Sequence, residues 1–198
     1  MEDPVEAFID FEVNLARIRR PQYEAELRGQ LIAGIPQMAD REAELEPILT
    51  LEVGTYIDFM REAREAFKFG LWRAVTALIG IAAESFTDTL FEKIKTVRSQ
   101  AGVSVSKKEL FGDGEHISEN RKMAVLFLFG VIEGQDRDKL VAIKKLRDKY
   151  VHPRAQEPTV EADAREMMRL FQSVIRDRFE REYAISNGQI VKREQPKK

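Results

Sequence analysis

The stretch KKLRDKYVHPRAQ, residues 144–156, sets an arginine and a histidine five positions apart, with a proline directly after the histidine. Helical spacing puts Ile143, Arg147 and Val151 on one face, so Arg147 lies along an apolar seam. A guanidinium there needs a partner, because an unpaired buried charge is costly. His152 precedes Pro153, and a residue before proline is pushed out of the α conformation, so the imidazole should sit where the helix unwinds. Asp148 stands four residues earlier, within reach of it while the helix lasts. A helix C-terminus favours the imidazolium by about 0.3–1 kcal/mol. At about 1.36 kcal/mol per pKa unit this leaves His152 able to titrate near neutrality. A titrating histidine beside a fixed cation suits phosphodiester cleavage by a neighbouring 2′-hydroxyl. The imidazole moves protons, the arginine holds the developing charge, and no metal is needed. The plainer alternative is a helix-end histidine bonded to terminal carbonyls.

The surroundings of this pair are basic. Residues 138–154 hold Lys139, Lys144, Lys145, Arg147, Lys149 and Arg154 against Asp138 and Asp148, a local charge of +4 on a chain of net charge −2. Such a patch can steer a polyanion, or it can be a solvated helix face. Residues 1–46, by contrast, hold eleven acids against five arginines.

Other chemistries find little support. The two histidines, His116 and His152, form no H-E-x-x-H pair, and the absence of cysteine removes thiolate metal sites and disulfides. Phosphate-cradling, dinucleotide-binding and G-x-S-x-G motifs are missing as well. The segment GDGEHISEN lacks the acidic spacing of a calcium loop and reads as a polar loop. We therefore expect no cofactor.

The elements that must position Arg147 and His152 read as helices. Asp3-Pro4 looks like a helix start, with Phe8, Phe11, Leu15 and Ile18 on the following face. Pro21 should kink this helix or begin a second one carrying Leu27, Leu31 and Ile32, with Gly34 and Pro36 as punctuation. A helix from about Thr50 to Phe69 follows. From Leu71 to about Val97, the residues Leu71, Val75, Leu78, Ala82, Phe86, Leu90 and Ile94 recur at helical spacing, which predicts a central helix buried on several sides. Its weakly charged run, Gly70 to Ala83, falls short of the roughly 20 residues that span a bilayer. Trp72 and the Met167-Met168 pair read as core.

Next comes a long polar loop with a capping box at Ser106–Glu109, and then an apolar helix stopping at Gly130 or Gly134. A helix from about Arg137 to Val151 carries the basic stretch, and Thr159 caps a last one. The sequence thus predicts an all-α bundle of about five to seven helices. An unassigned N-terminal helical segment would cover 1–46, the main domain 47–184, and a frayed tail 185–198.

The stretch LRDKYVHP resembles the signature of the HEPN superfamily (higher eukaryotes and prokaryotes nucleotide-binding): an arginine, a polar residue, a few positions, then a histidine. The segment FGLWRAVTALIGIAAESFTDTLFEKI is similar to the long central helix of that superfamily, leading into Glu84. The resemblance covers roughly residues 50–180. It implies a HEPN-like bundle and a metal-independent endoribonuclease that works as a homodimer, as in toxins, antiviral effectors and RNA-processing modules. Arg147 would stabilise the phosphate, His152 would act as acid or base, and Asp148 would orient them. The departure is Asp148, where asparagine is more frequent. An acid there lowers affinity for phosphate. Glu84 would pair with Arg147 and hold it, or else be an ordinary exposed glutamate. Lys144, Lys145, Lys149 and Arg154 would bind RNA. The acidic N-terminus lacks the apolar stretch of a secretory signal, and a cytoplasmic location without membrane attachment is expected. Two alternatives stay open: a non-catalytic helical module that binds RNA or a protein, and a toxin-like chain silenced by an antitoxin.

Overall fold

The computed structural model describes residues 4–48, 54–94, 96–98, 104–106, 117–151, 159–186 and 189–193. These residues form six α-helices and two short antiparallel hairpins, an all-α architecture. They divide into two units, Met1–Glu44 and Leu45–Lys198.

The first unit is one helix, α1, Pro4–Ala43. Pro4 opens it, as a proline in the first turn can, since its missing N–H would have no helical partner there. Pro21 and Pro36 lie inside α1, so no second helix begins at Pro21, and Gly34 and Pro36 do not end the helix as their punctuation suggested. Each interior proline removes a backbone donor, at about 3 kcal/mol. Ile32, whose carbonyl Pro36 leaves without a helical partner, is exposed, so water can serve it. Leu27, Leu31 and Ile32 are exposed on α1.

The second unit contains α2 (Thr55–Lys68), α3 (Trp72–Lys93), α4 (Glu119–Leu128), α5 (Gly134–Val151) and α6 (Val160–Glu182). Helix α3 packs against each of the other four, as its multi-sided apolar pattern predicts. Val75, Ile79, Ala82, Ala83, Phe86 and Leu90 are buried along it. Phe86 sits edge-to-face with Tyr56 of α2 (ring centroids 5.2 Å apart) and with Phe171 of α6 (6.0 Å), which carries the core through three helices. Met167 and Met168 are buried as expected. Trp72 is only partly buried. Its ring stands against Phe67 of α2 at 5.3 Å, with the Arg165 guanidinium of α6 at 5.0 Å. Leu71, expected on the buried stripe, is exposed, because it belongs to the turn that closes α2: its N–H donates to the Ala66 carbonyl at 2.9 Å. At 22 residues, α3 is longer than its uncharged run suggested, and by length and composition it could cross a membrane. Here more than half of its most apolar window is buried among the other helices.

Helix α4 stops where the glycine signal placed it. Gly130 has φ 64°, and the N–H groups of Gly130 and Val131 donate to the carbonyls of Phe127 and Leu126, both at 2.9 Å. Gly134 starts α5, three residues before the expected Arg137. The Asp136 carboxylate accepts the Glu133 N–H at 3.3 Å, half of a capping box.

Strands were not expected. Thr96–Arg98 (β1) pairs with Ser104–Ser106 (β2), so Ser106 is a strand residue, and the rest of its expected capping box lies outside the described residues. Tyr183–Ser186 (β3) pairs with Gln189–Lys192 (β4), so the expected fraying does not hold for residues 185, 186 and 189–192. In sequence, the short apolar runs Ala184-Ile185 and Ile190-Val191 flank Asn187-Gly188, a hairpin turn signal.

Candidate functional site

Arg147 lies one turn before Val151, the last described residue of α5, with its side chain 18% exposed. Its aliphatic stem crosses α3 at Gly80, where a Cβ would lie 2.6 Å from Arg147 Cγ. Real Cβ atoms do not approach so closely, so only glycine lets α5 lay this arginine on α3 at that level.

Beyond Gly80 the guanidinium meets three carboxylates. Nη1 donates to Glu84 of α3 at 2.8 Å, and Nη2 donates to Glu119 of α4 at 3.3 Å. Nε and Nη2 both donate to Asp148 Oδ1, at 3.3 and 3.2 Å. An arginine has five N–H donors. Among the described residues, one on Nη1 therefore lacks an acceptor. The seam position of Arg147 called for such partners, and Glu84 is one of them.

Electrostatics divide the three acids. Glu119 is only 9% exposed, and burial pushes its carboxyl above the usual glutamate range, with Arg147 opposing the shift and Glu84 adding to it. Asp148 goes the other way. Hydrogen bonds from Lys144 and then Arg147 hold it below the usual aspartate range. Burial works to lower the Arg147 pKa, but its carboxylates outweigh that and raise it. Asp148 Oδ1 accepts from Arg147, and Lys144 is on its other oxygen. The cluster sets two cations against three carboxylates, a net charge of −1.

The basic window is largely neutralised by acids from elsewhere in the fold. Lys139 pairs with Asp177 of α6 at 2.6 Å and Arg147 with Glu84 and Glu119, while Lys144 pairs with Asp148 inside the window itself. Lys149 pairs with Asp163 of α6 at 2.6 Å and donates to Thr159 at 2.7 Å. Tyr150 also donates its hydroxyl to Asp163. Burial works to raise the Asp163 carboxyl, but these donors win and hold it low. Thr159 precedes α6 without a side-chain cap bond; its hydroxyl goes to Asp163 instead. Lys145 is exposed. His152, Arg154 and His116 lie outside the described residues.

Beside Glu84 a groove runs along α3, lined by the hydroxyls of Thr55, Ser85 and Thr89 and the carboxylates of Glu84, Asp88 and Glu92. Asp88 is paired with Lys122 of α4 at 2.5 Å. Among the described residues, no three His, Asp or Glu side chains are grouped so that they could hold a metal ion.

Sequence reasoning missed Glu119, Asp163 and Tyr150. Glu119 is an acid in the first turn of a helix, a place where acids are usual on helix-dipole grounds alone, so nothing local marked it. Comparison with family models, with curated proteins and with solved structures gives no match.

Proposed function

We propose that the chain is a metal-independent endoribonuclease of HEPN type, acting in the cytoplasm as a toxin, defence or RNA-processing component. The observation that carries the proposal is the seating of Arg147. Gly80 and Glu84 fix a guanidinium one turn before Val151, the last described residue of α5, and His152 follows Val151 in the sequence. Arg147 would hold a phosphate and the charge that develops on it, while His152 would move the proton of the attacking 2′-hydroxyl or of the leaving oxygen. Asp148 would act through Arg147 as a positioning residue. Lys145 would contact the RNA backbone directly; Lys144 and Lys149 would do so only by leaving Asp148 and Asp163. In-line cleavage works best with both a base and an acid. A homodimer that brings two Arg147–His152 pairs together would supply them, with RNA as the partner and an antitoxin as a further one.

One observation favours a second function, a non-catalytic helical module that binds a protein or RNA. The Arg147 donors are mostly filled by carboxylates, and the adjoining groove is acidic. The two separate in one assay, labelled RNA in EDTA. The ribonuclease cleaves under chelation and leaves 2′,3′-cyclic phosphate ends, and His152→Ala slows it by roughly 10²–10⁴ with little change in RNA affinity. Activity lost on chelation and restored by magnesium would sink the proposed chemistry. Binding without any cleavage would leave the module.

A further inference from the structure

An arginine that must receive a phosphate is here occupied by carboxylates, and the three do not play the same part. Glu84 comes from the same helix as Gly80 and shares the job of seating the side chain. Asp148 is the neighbour of Arg147 in sequence and is held from behind by Lys144. Glu119 alone reaches in from α4, through a single bond at 3.3 Å, whereas Asp148 accepts from both Nε and Nη2. It is the first residue of that helix, so the N–H groups of the first turn of α4 lie beside it. The preceding Ser118 makes no side-chain cap bond to them. A carboxylate at that position has a second berth, its own helix N-terminus, where the helix dipole favours an anion.

We propose that Glu119 is a built-in competitor for the Nη2 edge of Arg147, which an incoming phosphate displaces toward the N-terminus of α4. The proposal rests on Arg147 being a phosphate-binding group and specifies how access to it is controlled. With Glu119 on Arg147, the cluster carries two cations and three carboxylates and repels an anion. With Glu119 turned away or protonated, Arg147 and Lys144 face only Glu84 and Asp148, and the cluster is neutral. Burial already disfavours the Glu119 anion, which works against its hold on Arg147. Among the described residues, the groups that face Glu119 are Arg147, Lys144 and Asp148 from α5 and Glu84 from α3. The Glu119 carboxyl is pushed up by burial, whereas that of Asp148 is held down by its hydrogen bonds.

The test uses the full chain with sulfate, a dianion throughout pH 5–8, as the probe, and reads the thermal midpoint and the sulfate affinity derived from it. For Glu119→Gln at pH 8, sulfate should bind on the order of tenfold tighter than to wild type, since one unit charge is removed within contact distance of the site. The gain should vanish in the Glu119→Gln, Arg147→Gln double variant. Glu119→Ala should also bind sulfate more tightly than wild type at pH 8, and it carries the same test if Glu119→Gln fails to fold. Equal sulfate affinity in wild type and in these variants at pH 8 would overturn the competitor. Labelled RNA then separates the two proposals. A sulfate response of the expected form without any RNA cleavage removes the ribonuclease and keeps the competitor; cleavage that Glu119→Gln leaves unchanged at subsaturating RNA does the reverse.

Discussion

Helix α5 carries an ion cluster at each end, and the two are built oppositely. At its start the central group is an anion, Asp136, 1% exposed, which accepts the Glu133 N–H and the guanidinium of Arg181. Arg181 also reaches Glu133 at 3.5 Å, and Arg178 holds the Val131 carbonyl at 3.3 Å. At its end the central group is a cation, Arg147, surrounded by three carboxylates. Both central charges agree with the helix dipole, anion at the N-terminus and cation at the C-terminus. Their partners differ. The first cluster pairs acids with arginines and fastens the α4–α5 turn to α6. The second crowds carboxylates around the negative end of the helix, where the dipole disfavours them. One cluster is balanced and fastens the fold; the other is oversupplied with acid, three carboxylates around Arg147 and Lys144.

The largest effect should fall on the balanced cluster. Asp136→Ala leaves Arg181 without its main partner and removes the helix-start bond, so stability should drop by about 3 kcal/mol. Urea denaturation checks this, and a loss below about 1 kcal/mol would put the two ends of α5 on the same footing.

A smaller loss is expected for Gly80→Ala. Alanine gains roughly 1 kcal/mol of helix propensity over glycine. The clash with the Arg147 stem costs about 1–3 kcal/mol, and the clash should win, for a net loss of about 1 kcal/mol. A double-mutant cycle sharpens the point: with Arg147→Ala in place the same change should become neutral or stabilising. If Gly80→Ala destabilises both backgrounds equally, the glycine serves something other than the arginine.

The smallest effect distinguishes acids within the second cluster by pH. The folded pKa of Glu119 is raised, so its contribution is complete below the ordinary glutamate value and is lost as pH rises through the folded value. The folded pKa of Asp148 is lowered, so its contribution is present above the ordinary aspartate value and is lost as pH falls through the folded one. Glu119→Gln should therefore match wild type near pH 4 and exceed it by less than about 1 kcal/mol at pH 7–8. Asp148→Asn should be weaker than wild type at neutral pH and converge with it in strong acid. Urea midpoints from pH 3 to 8 decide, and a Glu119→Gln variant less stable at pH 8 would reverse the sign assigned to burial.

The same contrast explains how much could be read in advance. Helical periodicity marked α3 as the central element and Arg147 as a charge needing partners, because both are local patterns. Glu84 was a candidate because it ends the apolar half of α3. Glu119 was not, since it meets Arg147 across 28 positions of sequence with no pattern linking them. The +4 window misled for the same reason. A window sums neighbours in the chain, whereas Lys139 and Lys149 are neutralised by Asp177 and Asp163, which lie 38 and 14 residues further on. The second helix offered at Pro21 does not form, because a proline inside a helix removes one bond without ending the helix, and at Pro36 the freed carbonyl belongs to the exposed Ile32.

Trp72 gives this protein an optical asymmetry. It is the single tryptophan of the chain, wedged between Phe67 of α2 and Arg165 of α6, so its emission reports on the seam among three helices of the second unit. Helix α1 has 40 residues and no tryptophan, yet it contributes a large share of the far-ultraviolet circular dichroism. Fluorescence therefore follows one unit and dichroism follows both, and the gap between the two unfolding curves measures how far α1 melts on its own.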